Sequence, residues 1–228
     1  MQIPDLTLPA IRNVLDRLYA ETLRRDPLAR RSAAAAGIAN EHDAGFYEAM
    51  EHACMPVTPD AGALLYQLCR AAPGGTVVEY GTSYGISTIH LAAAVRRRGE
   101  GRVISTELLA AKAAQARRNL ADAGLAAFVD VRAGDALATL AAAPPERIGM
   151  VLLDGAKHDY LPLLRQLEPA LLPGALVVAD NCAMAGAAAF VDYVLDSANG
   201  YTATTLYTRA IGDYHPLLVA TAPARVCP

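Results

Sequence analysis

A chain of 228 residues with 54% hydrophobic and 19% charged residues is long enough for one domain with a sizeable core. A net charge of −3, few aromatic residues and no Trp exclude a phosphate-tracking surface or a base-stacking platform, which leaves a small molecule rather than nucleic acid as the default partner. No apolar run reaches the roughly 18 residues of a membrane span. The four cysteines (Cys54, Cys69, Cys182, Cys227) lack ligand-like spacing and no signal peptide is visible, so the chain reads as cytoplasmic with free thiols.

The chain opens helically. "AIRNVLDRLYAETLRR" carries Ile11, Val14, Leu15, Leu18 and Leu23 close to one face, and the cluster Arg24, Arg25, Arg30, Arg31 reads as a solvated face. A second helix, "PDAGALLYQLCRAA", follows Thr58 as N-cap with Pro59 in its first turn. Then β-branched runs alternate with helical patterns: "TVVEY", "RVIST", "FVDVRA", "IGMVLLD" and "ALVVAD" as strands, separated by "ISTIHLAAAVRRR", "LLAAKAAQARRNLADAGL", "DALATLAAA" and "YLPLLRQLEPALL" as helices. That alternation predicts a parallel sheet covered on both faces. After the helix "GAAAFVDYVLDSA", the runs "YTATTLYT" and "HPLLVAT" predict an antiparallel hairpin turning around Gly212 and Asp213. The expected fold is α/β: a Rossmann-like, seven-stranded, mostly parallel sheet with a C-terminal antiparallel hairpin. Residues 1–54 form an N-terminal helical cap on a core spanning 55–228, within a single domain.

In open parallel sheets ligands sit beyond the carboxyl ends of the strands, so the residues just past each strand come next. "EYGTSYGIS" places Gly81 and Gly85 in a tight turn and Ser87 at a helix start. It is not the GxGxxG of a dinucleotide site, because Ser83 and Tyr84 fill the interval. Glu79 would repel a pyrophosphate and suits a cationic ligand or an amino group; the bland reading is an ordinary strand-to-helix turn. Glu107, ending the second strand, suits the two hydroxyls of a ribose. Asp135 and Ala136 in "AGDAL" border an adenine, or Asp135 is a helix N-cap. "VVADN" runs from a buried strand straight into Asp180 and Asn181, which either cap a turn or hold something that needs oxygen ligands.

Taken together, "EYGTSYGIS", "STE", "AGDAL", "LLDGAKHDYL" and "VVADN" resemble the class I S-adenosylmethionine-dependent O-methyltransferases, on their metal-dependent branch of catechol and caffeoyl-CoA O-methyltransferases. The resemblance covers about residues 55 to 220. It implies that Glu79, Gly81, Thr82 and Ser87 hold the methionine end of S-adenosylmethionine and that the backbone of Val57 helps with its carboxylate. Glu107 would take the ribose and the backbone near Ala136 the adenine. Asp154, bordering cofactor and metal, joins Asp180 and Asn181 as ligands of Mg²⁺ or another divalent cation, with Lys157 as catalytic base. The implied reaction moves the methyl group to a hydroxyl of a catechol-like small molecule, in an enzyme that is a homodimer through its N-terminal helices.

Physical reasoning supports the metal independently. Asp154 and Asp180 each end a central strand, so their carboxylates converge at one rim, where two like charges are costly unless a cation neutralises them. Two carboxylates and an amide are the hard oxygen set that Mg²⁺ prefers, and the strand ends offer no His or Cys for zinc. Three other readings compete. A nicotinamide-dependent oxidoreductase lacks its glycine fingerprint here. A non-catalytic binding protein has no reason to keep Lys157 beside the three ligands. A metal-independent methyltransferase would use Asp154 and Asp180 as cofactor and structural acids. The sequence departs from the pattern at Gly155 and Ala156, where larger residues are common, so looser packing is expected there. His158 reads as a surface residue. Phe46, Tyr47 and Tyr84 are candidates for a ring pocket, and Tyr207, Arg209 and Asp213 for orienting the second hydroxyl.

Overall fold

The computed structural model describes residues 5–38, 40–41, 43, 45–209 and 214–223. Helices α1 (Pro9–Ala35), α2 (Phe46–Ala49) and α3 (Pro59–Ala71) precede the sheet. The core then alternates β1 (Thr76–Tyr80), α4 (Ile86–Arg98), β2 (Val103–Glu107), α5 (Ala110–Asp122), β3 (Val129–Ala133), α6 (Ala136–Ala142), β4 (Ile148–Leu153), α7 (Tyr160–Leu167), β5 (Leu171–Asp180) and α8 (Ala188–Leu195), before β6 (Thr202–Arg209) and β7 (Tyr214–Thr221). The seven strands are ordered β3-β2-β1-β4-β5-β7-β6. The first five are parallel and β7 pairs antiparallel with both β5 and β6.

β4 is buried at every position, as a strand covered on both faces must be. One face packs Val77, Val103, Met150 and Leu152 against α1, α3, α4 and α5. The other packs Val78, Val151, Leu153 and Val177 against α6, α7 and α8. The strand order reverses between β1 and β4, and a crevice outside the carboxyl ends at such a point is where an open α/β sheet binds its ligand.

Three elements differ from the sequence expectation. Helix α1 runs 27 residues and passes through Pro27. That proline is exposed, so the carbonyl it frees faces water, and the alanine-rich segment after it favours helix. The pattern read as one helix from Tyr160 ends at Leu167, because Pro169 sits in a short 3₁₀ turn and β5 begins at Leu171. The last helix is confined to Ala188–Leu195, since the Asp196 side chain accepts from the Ala198 amide and starts a separate turn. The Thr58 cap is present, accepting from Ala61 N at 3.1 Å. The turn expected at Gly212 and Asp213 lies outside the described residues. Among the described residues, no helix is long and apolar enough to cross a membrane.

Candidate active site

A cavity of about 760 Å³ opens at the carboxyl ends of β1, β2, β4 and β5, roofed by α1, α2 and the segment before α3. Its floor is the turn from β1 into α4. Gly81 has φ +101°, and a Cβ there would lie 2.3 Å from the carbonyl oxygen of Asp154, so only glycine lets β1 and the β4 exit approach this closely. Gly81→Ala is therefore expected to destabilise the protein by roughly 2–6 kcal/mol, adding backbone strain to overpacking; chemical denaturation would measure it. Glu79 lies beneath this floor, wholly buried. One carboxylate oxygen accepts the hydroxyls of Thr88 and Ser105, each at 2.5 Å. Its other oxygen, Oε1, is buried with no regular hydrogen bond among the described residues. Burial pushes the Glu79 carboxyl up, against the opposing pull of hydroxyls from Ser105, Ser87 and Thr88.

On the β2 side, Glu107 is held rather than free to swing. Its carboxylate accepts from Ser83 N at 2.7 Å and from Leu109 N at 2.9 Å. Lys112, nearly buried, donates from Nζ to Ser83 Oγ at 3.3 Å, and Ser83 Oγ donates to the Cys54 carbonyl at 2.7 Å. Burial lowers the Lys112 pKa, and the carboxylate of Glu107 opposes that shift. Asp26, from α1, accepts the amides of Cys54 and Met55 at 2.7 and 2.8 Å, tying the roof to the segment that leads to Val57. Asp135 caps α6, accepting from Ala138 N at 2.8 Å, while Ala136 lines the cavity.

On the β4 and β5 side, Asp154 and Asp180 come together at one rim. Burial, and then the charge of Asp180, raise the Asp154 carboxyl well above its ordinary range, with Lys157 pulling the other way. Asp180 Oδ1 accepts the amide of Asn181, whose φ of +54° turns the chain sharply at the strand end. A divalent cation fits this set: the two carboxylates repel each other in a buried place and the adjoining amide is a neutral oxygen donor. Lys157 is nearly buried, donates to the Gly155 carbonyl at 2.8 Å and stands 5.4 Å from the centre of the Tyr160 ring. The Tyr160 hydroxyl in turn donates to the Asp180 carbonyl at 3.1 Å.

Val57, Gly81, Thr82, Ser87, Glu107, Ala136, Asp154, Lys157, Asp180 and Asn181 all line this one cavity, whereas Glu79 sits below it. Phe46 and Tyr47 line it too, packed edge to face at 5.3 Å; Tyr84 does not, being buried with the core. The packing at Gly155 is not loose. A Cβ there would meet the Tyr80 ring at 2.4 Å, so Tyr80 fills the space a larger residue would take. His158 is exposed at the cavity edge, and Arg30 of the arginine cluster also reaches it. Tyr207 and Arg209 lie away from the cavity, Arg209 pairing with Asp60 at 3.9 Å, and Asp213 is outside the described residues.

Sequence reasoning missed Lys112, Asp26 and Tyr80. Lys112 had a signal: it shares the buried face of α5 with Ala113, Ala116 and Leu120. Asp26 had none, since it contacts residues 28 and 29 positions away.

Residues 78–182 match the family described as a methyltransferase domain. Over 128 residues the chain is 34% identical to a catechol O-methyltransferase of Niastella koreensis, covering 55% of this chain and 57% of that protein. Over 140 residues it is 34% identical to a catechol O-methyltransferase of Mycobacterium tuberculosis, covering 61% and 62%. The chain is thus similar to O-methyltransferases over its central α/β region. It spans about three fifths of the length of these curated relatives. Among solved structures it superposes with TM-score 0.67 on the O-methyltransferase TomG from Streptomyces achromogenes in complex with SAM, at 25% identity over 84% of this chain and 95% of that one. An O-methyltransferase from Bacillus cereus in complex with SAH shares the fold, with TM-score 0.67 and 23% identity over 92% and 90%. These structures share the fold of the chain, whose sheet order reverses where the crevice lies.

Proposed function

We propose that the protein transfers a methyl group from S-adenosylmethionine to one hydroxyl of a catechol-like small molecule, with a divalent cation, Mg²⁺ or a near equivalent, held by Asp154, Asp180 and Asn181. The observation that carries this reading is the sharing of one cavity by those three residues, by Lys157 and by the Gly81–Glu107–Ala136 wall. S-adenosylmethionine would lie along that wall, with its methionine end over Gly81, Thr82 and Ser87 near the Val57 backbone, and its ribose at Glu107. Glu79, buried below the floor, would supply negative charge under the amino group when ionised. The cation, when bound, would offset the charge of the Asp154 and Asp180 pair and acidify a hydroxyl beside it.

Lys157 Nζ takes the acceptor's proton, and the Gly155 carbonyl at 2.8 Å is already placed to receive a hydrogen bond from the ammonium that forms. The acceptor oxygen then bonds to the methyl carbon as the carbon–sulfur bond breaks; the sulfonium leaves as a neutral thioether, and the proton passes from Lys157 to water. Holding the two reactants in line within a roofed cavity supplies much of the rate, on the order of 7–11 kcal/mol for well-oriented groups. Phe46 and Tyr47 are positioned to cover the ring of the acceptor; the charges of Asp159 and Asp154 reach Tyr47, which puts it at the β4 end of the cavity.

The test is methyl transfer from S-adenosylmethionine to a panel of catechols, with Mg²⁺ and with EDTA. Turnover that EDTA stops and Mg²⁺ restores is the expected result. Turnover indifferent to EDTA would discard the metal and leave a metal-independent methyltransferase. Tight S-adenosylmethionine binding without turnover on any catechol would discard the acceptor class.

A further inference from the structure

Tyr80 makes more contacts with the 154–160 segment than a residue ending a strand needs to. Its backbone carbonyl accepts the Asp154 amide at 2.8 Å. Its hydroxyl donates to Asp159 Oδ2 at 2.7 Å and accepts the Ala156 amide at 3.2 Å. Its ring occupies the space above Gly155, and its edge-to-face partner, 6.3 Å away, is Tyr160. One side chain therefore grips both flanks of Lys157, which lies in the 3₁₀ turn Lys157–Asp159.

We infer that Tyr80 is a positioning residue for the reaction: its hydroxyl, bridging Ala156 N and Asp159, fixes the turn that presents Lys157, and its ring stands in for the side chain missing at Gly155. Lys157 Nζ is at the end of a long flexible stem and bonds the Gly155 carbonyl of its own turn, so its placement depends on the placement of that backbone. A hydrogen bond to a carboxylate is among the stronger neutral-donor contacts, and its loss frees the turn by more than an ordinary surface contact would. The Asp159 carboxylate also lies 3.5 Å from exposed His158, a contact too open to hold the turn by itself. The inference rests on the proposed role of Lys157.

The experiment compares Tyr80→Phe, Asp159→Ala, their double variant and Asp159→Asn in the purified protein. Two readouts are used: methyl-transfer kinetics and amide hydrogen exchange over residues 154–160. Tyr80→Phe keeps the ring and is expected to lower kcat on the order of tenfold, since small misplacements of a reacting group are costly, with KM for S-adenosylmethionine moved less than about twofold. Asp159→Ala should match it, the double variant should be no worse than either single one, and Asp159→Asn, which still accepts the tyrosine proton, should recover most of kcat. Exchange over 154–160 should quicken about tenfold in Tyr80→Phe while the core strands stay unchanged. Multiplying losses in the double variant, or unchanged kcat and exchange in Tyr80→Phe, would overturn the inference. Wild-type protein with no methyl transfer defeats the proposed function instead, and the exchange rates then decide the role of Tyr80 alone.

Discussion

Asp180→Ala is expected to abolish methyl transfer to catechols, by on the order of 10³-fold or more, while S-adenosylmethionine binds nearly as before. The carboxylate stands at the end of β5, three strands away from β2 and Glu107, which would carry the ribose, and so on the side where the acceptor would bind. Losing one charged ligand of a divalent cation removes several kcal/mol of charge stabilisation, and each 1.36 kcal/mol is about tenfold in rate. Stability should move the other way. In the metal-free protein Asp154 is held above its ordinary pKa by burial and by Asp180. A carboxyl whose folded pKa is raised stabilises the fold below its ordinary value, and that contribution is lost as pH rises through the raised folded value. At neutral pH the metal-free pair therefore costs stability, and Asp180→Ala relieves part of the cost. Mg²⁺ should stabilise the wild type by about 2.7 kcal/mol at a hundredfold excess over Kd, raising its melting temperature, and leave that of Asp180→Ala unmoved. Thermal melts with Mg²⁺ and with EDTA, beside a turnover assay, check both halves. Retained activity within a few-fold would remove Asp180 from the metal site.

Lys157→Met should cost about 10²–10⁴-fold in kcat, the range for loss of a positioned general base. Methionine keeps the length and the apolar stem that packs near the Tyr160 ring, so folding and S-adenosylmethionine affinity should hold. The diagnostic is the pH profile. If Lys157 takes the proton, the variant's rate should rise with pH more steeply, as solvent hydroxide takes over deprotonation of the acceptor. A variant with wild-type kcat at every pH would show that the cation alone suffices and that Lys157 is a structural amine.

The sheet was legible because its signal is local. β-branched runs bounded by Gly, Pro and Asp gave all seven strands within a few residues, and each site residue nominated at a strand end was found at one. Asp154 and Asp180 could be paired from sequence because β4 and β5 are neighbours in a parallel sheet, and parallel neighbours end at the same rim. What stayed illegible was long-range. Tyr80 read as the last residue of a strand, and nothing nearby reveals that its hydroxyl meets Asp159, 79 positions on. Glycine at position 155 read as a loss of packing, although a distant ring had taken the space. Helix α1 runs ten residues past the pattern read to Arg25, and the exposure of Pro27, which lets the helix pass through it, is not visible in the sequence.

The two-pronged grip of Asp26 on consecutive amides at Cys54 and Met55 has a thermodynamic consequence. A ligand that stiffened the wall leading to Val57 would stiffen the helix carrying Asp26 through this contact, and by reciprocity a more ordered helix would then favour that ligand by the same free energy. The outer surface of that helix bears exposed Leu23 and Leu28 and is open to substitution without disturbing the sheet. Substitutions on that outer surface that change helix order are expected to shift ligand affinity at the crevice, which calorimetry on such variants would measure.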